Sequence, residues 1–329
     1  MILIFSNTED FSTHRVMQWL KRAGKRVLRL NYDEPCQFEF DFPSDSHGPT
    51  LRVKSVGSPW IDLQDLSAVW YRRVRRVWNV DDETYTQFQA IQTRYYGHSL
   101  TDYLEAEWRV AYDYLLRQAS QCGRALGHPQ NGQLNKLVQL VAAKSVGISI
   151  PISRVTTDAN QLMLAEDTIT KPLSDPTEFT VADHSFRTYT AKIDAHWLER
   201  VPKVLFPSYV QEAVPKEVEL RIYYLDGRCY SMAIFSQQNE QTAIDFRQYN
   251  SVVPNRMEPY QLPSEVEEKI GLLMGQLELN QGALDFILTP AGEYVFLEVN
   301  PTGSFGMISS NCHFPIEHDI AEWLMQSGN

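Results

Sequence analysis

Apolar residues run from Met1 to Phe5 and give way at once to Ser6, Asn7, Thr8, Glu9 and Asp10. Ile2 to Phe5 predicts a buried strand. Asp10 or Ser12 can cap a helix to about Arg22, Gly24 stops it, and Val27 to Leu30 predicts a second strand. That β-α-β unit is the usual opening of an open α/β domain. Strand-like stretches follow at Phe38 to Phe40, Leu51 to Lys54 and Ala68 to Arg72, then a long helical stretch from about Glu83 to Gln118. Gly123 to Gly132, with Gly127, Pro129, Asn131 and Gly132, predicts a connector. Gln133 to Ser145 predicts an amphipathic helix whose apolar stripe is Leu134, Leu137, Val138, Val141 and Ala142.

Beyond Gly147 the pattern turns to strands: Arg154 to Thr157, Thr168 to Lys171, Thr188 to Ile193 and Pro207 to Glu212. Glu217 to Leu225 and Arg228 to Phe235 flank Asp226-Gly227, the strongest short hairpin signal in the chain. A helix from Ser264 to Leu277, a hairpin of Ala283 to Leu288 with Tyr294 to Val299, and a helix from Ile316 to Met325 complete the pattern. The fold class is α/β, becoming α+β in the C-terminal part. The expected division is 1–120, 121–206 and 207–329.

Composition changes this picture little. Of 329 residues, 43% are hydrophobic and 22% charged, enough for a core in more than one domain. A formal net charge of −11 argues against nucleic acid as a partner, because such binding needs a basic face. Cys36, Cys122, Cys229 and Cys312 lie far apart with no CxxC pair, so neither a metal cluster nor a disulfide framework is expected. The histidines show no metal spacing, and no nucleophilic triad is legible. The opening apolar run is too short for a signal-peptide core, and no stretch approaches the ~20 residues of a membrane span. A cytoplasmic protein with no membrane partner is the expectation.

The chemistry concentrates in the last hairpin. Alternation puts Glu298 and Asn300 on one face. If Leu288 pairs with Glu293, Asp285 lies opposite Phe296 and diagonal to Glu298 on that face. Both acids sit within apolar strands, beside Leu284, Phe286, Leu297 and Val299. Unpaired carboxylates there would cost several kcal/mol, so a metal or a buried basic partner must compensate. A solvated outer face is the simpler alternative; Asn300, followed by Pro301, Gly303 and Gly306, weakens it. Mg²⁺ fits two carboxylates and an amide that leave positions for phosphate oxygens and water. Such a site implies a polyphosphate, for which Lys136 and Lys171 are the candidate cations. Arg72, Arg73, Arg75 and Arg76 form a basic cluster in an acidic chain. Either they are a solvated edge, or Arg72 or Arg73 grips an acidic substrate through its guanidinium fork. Arg247 and Arg256, in a polar loop, are further candidates.

Asn135-Lys136, Thr170-Lys171-Pro172, Val210-Gln211-Glu212, Glu219-Leu220-Arg221, and Asp285 with Leu297-Glu298-Val299-Asn300-Pro301 resemble the ordered motifs of ATP-grasp enzymes. The chain is most similar to the ribosomal-peptide maturases that make graspetides, the microviridin-type macrocyclases and their grasp-with-spasm branch. Val69-Trp70-Tyr71-Arg72-Arg73, Ser231 to Gln237 and Asp245-Phe246-Arg247 carry that narrower likeness. The resemblance implies an ATP-grasp fold behind an N-terminal open α/β pre-ATP-grasp domain, with ATP and Mg²⁺ as cofactors. Lys136 and Lys171 would hold the phosphates, Gln211, Glu212, Ala213 and Val214 would clasp adenine, and Glu219 would bind ribose. Asp285, Glu298 and Asn300 would ligate Mg²⁺, with Arg221 and Arg247 catalytic and Arg72, Arg73 and Arg256 meeting the substrate. The glycine-rich loop that often covers the phosphates has no counterpart, since Leu173 to Ala182 contains no glycine; Ser174, Asp175, Thr177 and Thr180 are the candidates for that work.

The implied partner is a ribosomally synthesised precursor peptide, leader plus core. Its Asp or Glu side chains would be phosphorylated and captured by Thr, Ser or Lys as ω-ester or ω-amide rings. The competing reading is an ATP-grasp ligase that adds free amino acids to a protein tail or small acid. A peptide-binding module on a decayed scaffold is disfavoured by the intact set of candidate residues. A homodimer is left open.

Overall fold

The computed structural model describes the chain except residues 45–47, 76–99, 122, 130–133, 175–177, 182–183, 239–253 and 327–329. It opens as the pattern predicts. β1 (Ile2–Ser6), α1 (Phe11–Arg22) and β2 (Val27–Asn31) form a β-α-β unit, and the Asp10 carboxylate caps α1 at the Thr13 N–H. β3 (Cys36–Asp41), β4 (Thr50–Ser55) and β5 (Ile61–Asp62) make a small antiparallel sheet. The chain then returns to the far side of β1 as β6 (Ala68–Tyr71). α2 (Leu100–Gln121) covers the expected long helix from residue 100 onward; its expected first part lies outside the described residues.

Gly123 to Gly132 is not only a connector. Arg124–Leu126 is a strand, β7, parallel to β6, so the first sheet runs β2-β1-β6-β7 and its last strand lies beyond residue 120. Three residues are too few to show a hydrophobic period, which is why the turn formers around them dominate the sequence signal. Both faces of this sheet are covered. Leu3, Phe5, Val69 and Tyr71 pack against Tyr112, Leu115, Leu116 and Ala119 of α2, while Ile2, Ile4 and Trp70 face Val16 and Leu20 of α1 and the end of the chain.

α3 (Lys136–Ser145) is capped by Asn135, whose side-chain oxygen accepts from the Leu137 N–H. The central sheet, in the order β12-β9-β13-β8, is formed by β8 (Ser153–Asp158), β9 (Thr168–Thr170), β12 (Ala191–Lys192) and β13 (Val204–Glu212). The strand expected over Thr188 to Ile193 shrinks to β12. A separate hairpin, β10 (Glu178–Val181) with β11 (His184–Arg187), precedes it, and the short helix α4 (Ala195–Leu198) follows.

β14 (Val218–Leu225) and β15 (Arg228–Phe235) form the expected hairpin, with Asp226 at φ 42° and Gly227 at φ 94° in the left-handed conformation the turn requires. β16 (Arg256–Pro259), read in the sequence as loop, extends its edge. α5 (Ser264–Gln276) leads to β17 (Gln281–Leu288) and β18 (Tyr294–Asn300), and these strands complete a five-stranded antiparallel sheet, β16-β15-β14-β17-β18. α6 (Gly306–Cys312), which the pattern did not predict, and α7 (Ile316–Met325) follow.

One face of the C-terminal sheet packs on α3 and α5 through Leu220, Ile222, Leu284 and Phe286. The other, with Tyr223, Met232 and Ala283, shares a core with Phe305 and Ile308 of the α6 region, Ile320 and Trp323 of α7, and the first sheet. Gln281 fastens the two sheets together. Its Oε1 accepts from Trp70 Nε1 at 2.9 Å, and its Nε2 donates to Tyr71 O at 3.3 Å.

Candidate functional site

A cleft of about 310 Å³ lies between the central and C-terminal sheets. Lys171 follows β9, Gln211 and Glu212 end β13, and Ala213 to Lys216 cross over to β14, which carries Glu219. β17 and β18 form the opposite wall with Asp285, Ile287, Leu297 and Glu298. A second cavity of about 350 Å³ adjoins it, lined by Asn135, Lys136, Ser174, Glu298 and Asn300. Glu298 lines both.

The hairpin register differs from the expected one. Leu288 pairs with Tyr294, and an irregularity between Asp285 and Phe286 leaves Leu297 without an opposite residue. Asp285 therefore lies directly across from Glu298 rather than diagonal to it. A bulge re-aims a side chain in this way, and the alternation of residue types does not reveal it. Two carboxylates opposed at this distance repel unless cations intervene. Arg221 Nη1 donates to Asp285 Oδ1 at 2.7 Å, and Lys136 Nζ lies 3.2 Å from Glu298 Oε2. Lys136 also donates to the carbonyl oxygens of Pro172 at 3.1 Å and Ser174 at 3.3 Å. Basic partners thus satisfy both acids.

The oxygen donors suit a hard divalent cation. Asp285 and Glu298 bring two charges, and Asn300 Oδ1, which accepts from the Thr302 N–H at 3.0 Å and from Thr302 Oγ1 at 3.3 Å, adds a neutral amide oxygen. Among the described residues no group of three or more His, Cys, Asp or Glu could hold a metal ion. Gln139, one turn after Lys136, joins the helix to β18. Its Oε1 accepts from the Val299 N–H at 2.8 Å and its Nε2 donates to Leu134 O at 3.2 Å.

Glu219 is buried, and Lys216 Nζ at 2.9 Å and Ser236 Oγ at 2.7 Å share its Oε1. Burial pushes its carboxyl up, partly offset by Lys216 and Ser236. Lys216 is a cleft cation that sequence reasoning missed; three residues before Glu219 in an extended segment carries no recognisable spacing. Lys171 Nζ sits 5.7 Å from the Tyr209 ring centroid. At the crossover, the Glu212 N–H donates to Ile152 O and the Ala213 N–H to Asp167 O. The Gln211 amide donates to Ser153 Oγ and Tyr209 OH. Any contact these residues make to a base runs through their other atoms.

The arginines separate. Arg72 is buried and spends its guanidinium inside the fold: Nη1 donates to Thr302 O at 2.6 Å and Gly303 O at 2.9 Å, and Nε lies 3.1 Å from Asp10 Oδ2. Burial lowers its pKa to about 10, which leaves it charged at neutral pH. A group so enclosed does not fit the expected grip on a substrate carboxylate. Arg73, about one-third exposed, reaches the same Asp10 oxygen at 3.2 Å. One carboxylate thus serves two guanidinium groups. Burial alone would raise the Asp10 carboxyl, but Arg72, the Thr13 N–H and Arg73 together hold it below its ordinary value. Arg75 lies over the Tyr32 ring, and Arg76 lies outside the described residues. Arg256 sits on the edge strand β16, over Phe235 at 3.7 Å and paired with Glu258, away from the cleft lining. Arg247, Asp175 and Thr177 lie outside the described residues.

This arrangement defines an ATP-grasp fold, two sheets closing on a cleft whose acids and lysines face one another. Residues 1–111 match the family described as the MvdD pre-ATP grasp domain. The narrower likeness extends over the whole chain. A Chryseobacterium gregarium RiPP-associated ATP-grasp ligase, solved in complex with ADP and a leader and core peptide, superimposes with a TM-score of 0.82 at 24% identity, covering 98% of this chain and 96% of that one. Macrocyclase MdnC from Microcystis aeruginosa MRC, bound with precursor peptide MdnA, gives 0.77 at 26% identity over 99% of each chain. The ATP-grasp ligase PsnB, complexed with a minimal-precursor variant, Mg and ADP, gives 0.71 at 17% identity over 98% and 97%. No curated protein matches the chain. The sequence resemblance to ribosomal-peptide ATP-grasp maturases therefore holds, as does the expected fold class.

Proposed function

We propose that the chain is an ADP-forming, ATP-dependent ligase that closes rings in a ribosomally made precursor peptide. The observation that carries this is the convergence on one cleft of Asp285, Glu298, Glu219, Lys216 and Lys171, with Arg221 paired to Asp285 and Lys136, in the adjoining cavity, paired to Glu298. Solved proteins of like fold, bound to ADP and precursor peptides, support it.

In this reading Lys136 and Lys171 hold the phosphates, and Glu219 with the crossover at Gln211 to Val214 holds the nucleoside. Asp285, Glu298 and Asn300 hold Mg²⁺, which when bound neutralises phosphate charge and fixes phosphate geometry. Arg221 lies beside Asp285, where it can neutralise charge developing on the transferred phosphoryl group. A peptide carboxylate oxygen attacks the terminal phosphorus and ADP leaves. A Thr or Ser hydroxyl, or a Lys amine, of the same peptide then attacks the acyl carbon, losing its proton as inorganic phosphate departs. Arg73, about one-third exposed beside Asp10, is the arginine that meets a substrate acid in this reading. The division 1–120, 121–206 and 207–329 belongs to this reading, with β7 attached to the first sheet. Among the described residues no helix is long and apolar enough to cross a membrane.

The test is the product. Incubation with ATP, Mg²⁺ and the cognate precursor should lower peptide mass by one water per ring, with ADP and phosphate released. Mass gain by whole amino-acid residues would establish the free-amino-acid ligase instead. Release of AMP and pyrophosphate would contradict the ATP-grasp mechanism.

A further inference from the structure

Arg72 is enclosed away from substrate, and its placement is specific. It follows β6 directly, and its backbone N–H, like that of Arg73, donates to Phe5 O at the carboxyl end of β1. From this anchored position the side chain crosses to the C-terminal sheet and ends on the turn after β18. Nη1 binds two successive carbonyls there, Thr302 O and Gly303 O. The Phe305 ring lies 5.0 Å away, and Asp10 supplies the countercharge at Nε.

That turn is the continuation of the metal-ligand strand. Asn300 Oδ1 accepts from Thr302 N and, at 3.3 Å, from Thr302 Oγ1, while Asn300 O accepts from Gly303 N at 3.0 Å. The turn is pressed against β17. A Cβ on Gly303 would lie 2.4 Å from the Ala283 Cβ, two residues from Asp285. The Asn300 amide oxygen is thus held by a turn whose Thr302 and Gly303 carbonyls both accept from Arg72. The guanidinium meets both carbonyls through Nη1 while its Nε faces Asp10, so two nitrogens fixed in one plane serve the turn and the countercharge separately, a spacing that a single lysine nitrogen does not reproduce.

We propose that Arg72 is a positioning residue for the divalent-cation site, fixing the Asn300–Gly303 turn from the N-terminal domain. It never touches the cation; it holds the backbone that orients Asn300, as supporting hydrogen bonds orient metal ligands generally. This rests on the ATP-grasp reading of Asp285, Glu298 and Asn300. It also gives the N-terminal domain a part in nucleotide binding that its distance from the cleft conceals.

The experiment uses the full chain as Arg72→Met and Arg72→Lys. ADP binding is measured by calorimetry across a Mg²⁺ series and again with the metal chelated, beside thermal unfolding. The expected result is that half-maximal ADP binding needs about tenfold more Mg²⁺ in both variants, the lower end of the range for such supporting contacts. Affinity for ADP without metal should stay within about twofold, since the nucleoside contacts are untouched. A purely architectural role would lower the melting temperature and leave the Mg²⁺ series superimposed on the wild type; that outcome overturns the proposal. If Arg72→Met does not fold, Arg72→Lys, which keeps charge and length, carries the same test. A wild-type protein that binds no ADP with Mg²⁺ would instead refute the ATP-grasp reading itself.

Discussion

Replacing Glu298 with Gln should separate what this carboxylate does for the fold from what it does for the metal. Its attraction to Lys136 at 3.2 Å is worth about 5 kcal/mol gross at an effective dielectric constant of ~20. Its repulsion by Asp285, directly opposite at the roughly 5 Å of a cross-strand pair, is worth about 3 kcal/mol on the same scale. Charge removal therefore loses about 2 kcal/mol gross, and the relieved cost of desolvating a carboxylate offsets much of that. Lys136 is not stranded, because the Pro172 and Ser174 carbonyls continue to accept from it. Stability should change by about 1 kcal/mol or less, well under the ~3–5 kcal/mol typical of breaking a buried pair. On the proposed assignment the cation loses one of two charged ligands, and Mg²⁺-dependent ADP binding should weaken at least tenfold, about 1.4 kcal/mol. Urea denaturation measures the first quantity and calorimetric ADP titration with and without Mg²⁺ the second. An unchanged Mg²⁺ dependence would refute the metal assignment. A loss of several kcal/mol in stability would refute the cancellation argued from the ion pairs.

Lys171→Ala should weaken nucleotide binding by about 2 kcal/mol, one charge-assisted contact; unchanged affinity by calorimetry would pass that role to Lys136 or Lys216. Arg73→Ala should leave ADP binding intact and weaken use of the precursor, and identical peptide kinetics would return Arg73 to a solvated edge. The depressed Asp10 pKa fixes a sign: it stabilises the fold above the ordinary value of 3.8, and that contribution is lost as pH falls through the lower folded value. Asp10→Asn should therefore show a shallower acid limb than the wild type in denaturation midpoints below about pH 4. Parallel limbs would mean that another carboxylate governs acid unfolding.

Most of the architecture was legible because its elements are long enough to show a period or carry a sharp signal. Asp10 caps where a capping residue was expected, and Asp226-Gly227 turns the hairpin, whereas Asn135, expected inside a helix beginning at Gln133, is its cap. What was not legible is local and geometric. Nothing in the alternation of β18 marks Leu297 as the residue left without an opposite, yet that bulge sets Asp285 across from Glu298. β7 is too short for a period, and α6 begins after a glycine-bearing turn that reads as loop. The arginine cluster was visible as a cluster, but its division into a buried strut and a half-open neighbour depends on Thr302 and Gly303, some 230 residues away.

The clearest departure is the face of α3. The apolar stripe at Leu137, Val138 and Val141 points outward, with Val141 71% exposed, and the helix instead buries Gln139, Leu140 and Ala143. Lys136, Gln139, Leu140 and Ala143 follow the same i, i+3, i+4, i+7 spacing as the expected stripe, so periodicity alone cannot choose between the two faces. Hydrophobic area favours the first, since Leu137, Val138 and Val141 outweigh Leu140 and Ala143. The polar contacts of the second face decide. Gln139 bonds two backbone groups, Val299 N–H and Leu134 O, and Lys136 meets Glu298. Turning the helix to bury the valines would break both glutamine bonds and the Lys136–Glu298 pair, at roughly 1–3 kcal/mol for each buried neutral group left unmet. The helix is oriented by the site it serves, and the exposed valines follow from that orientation.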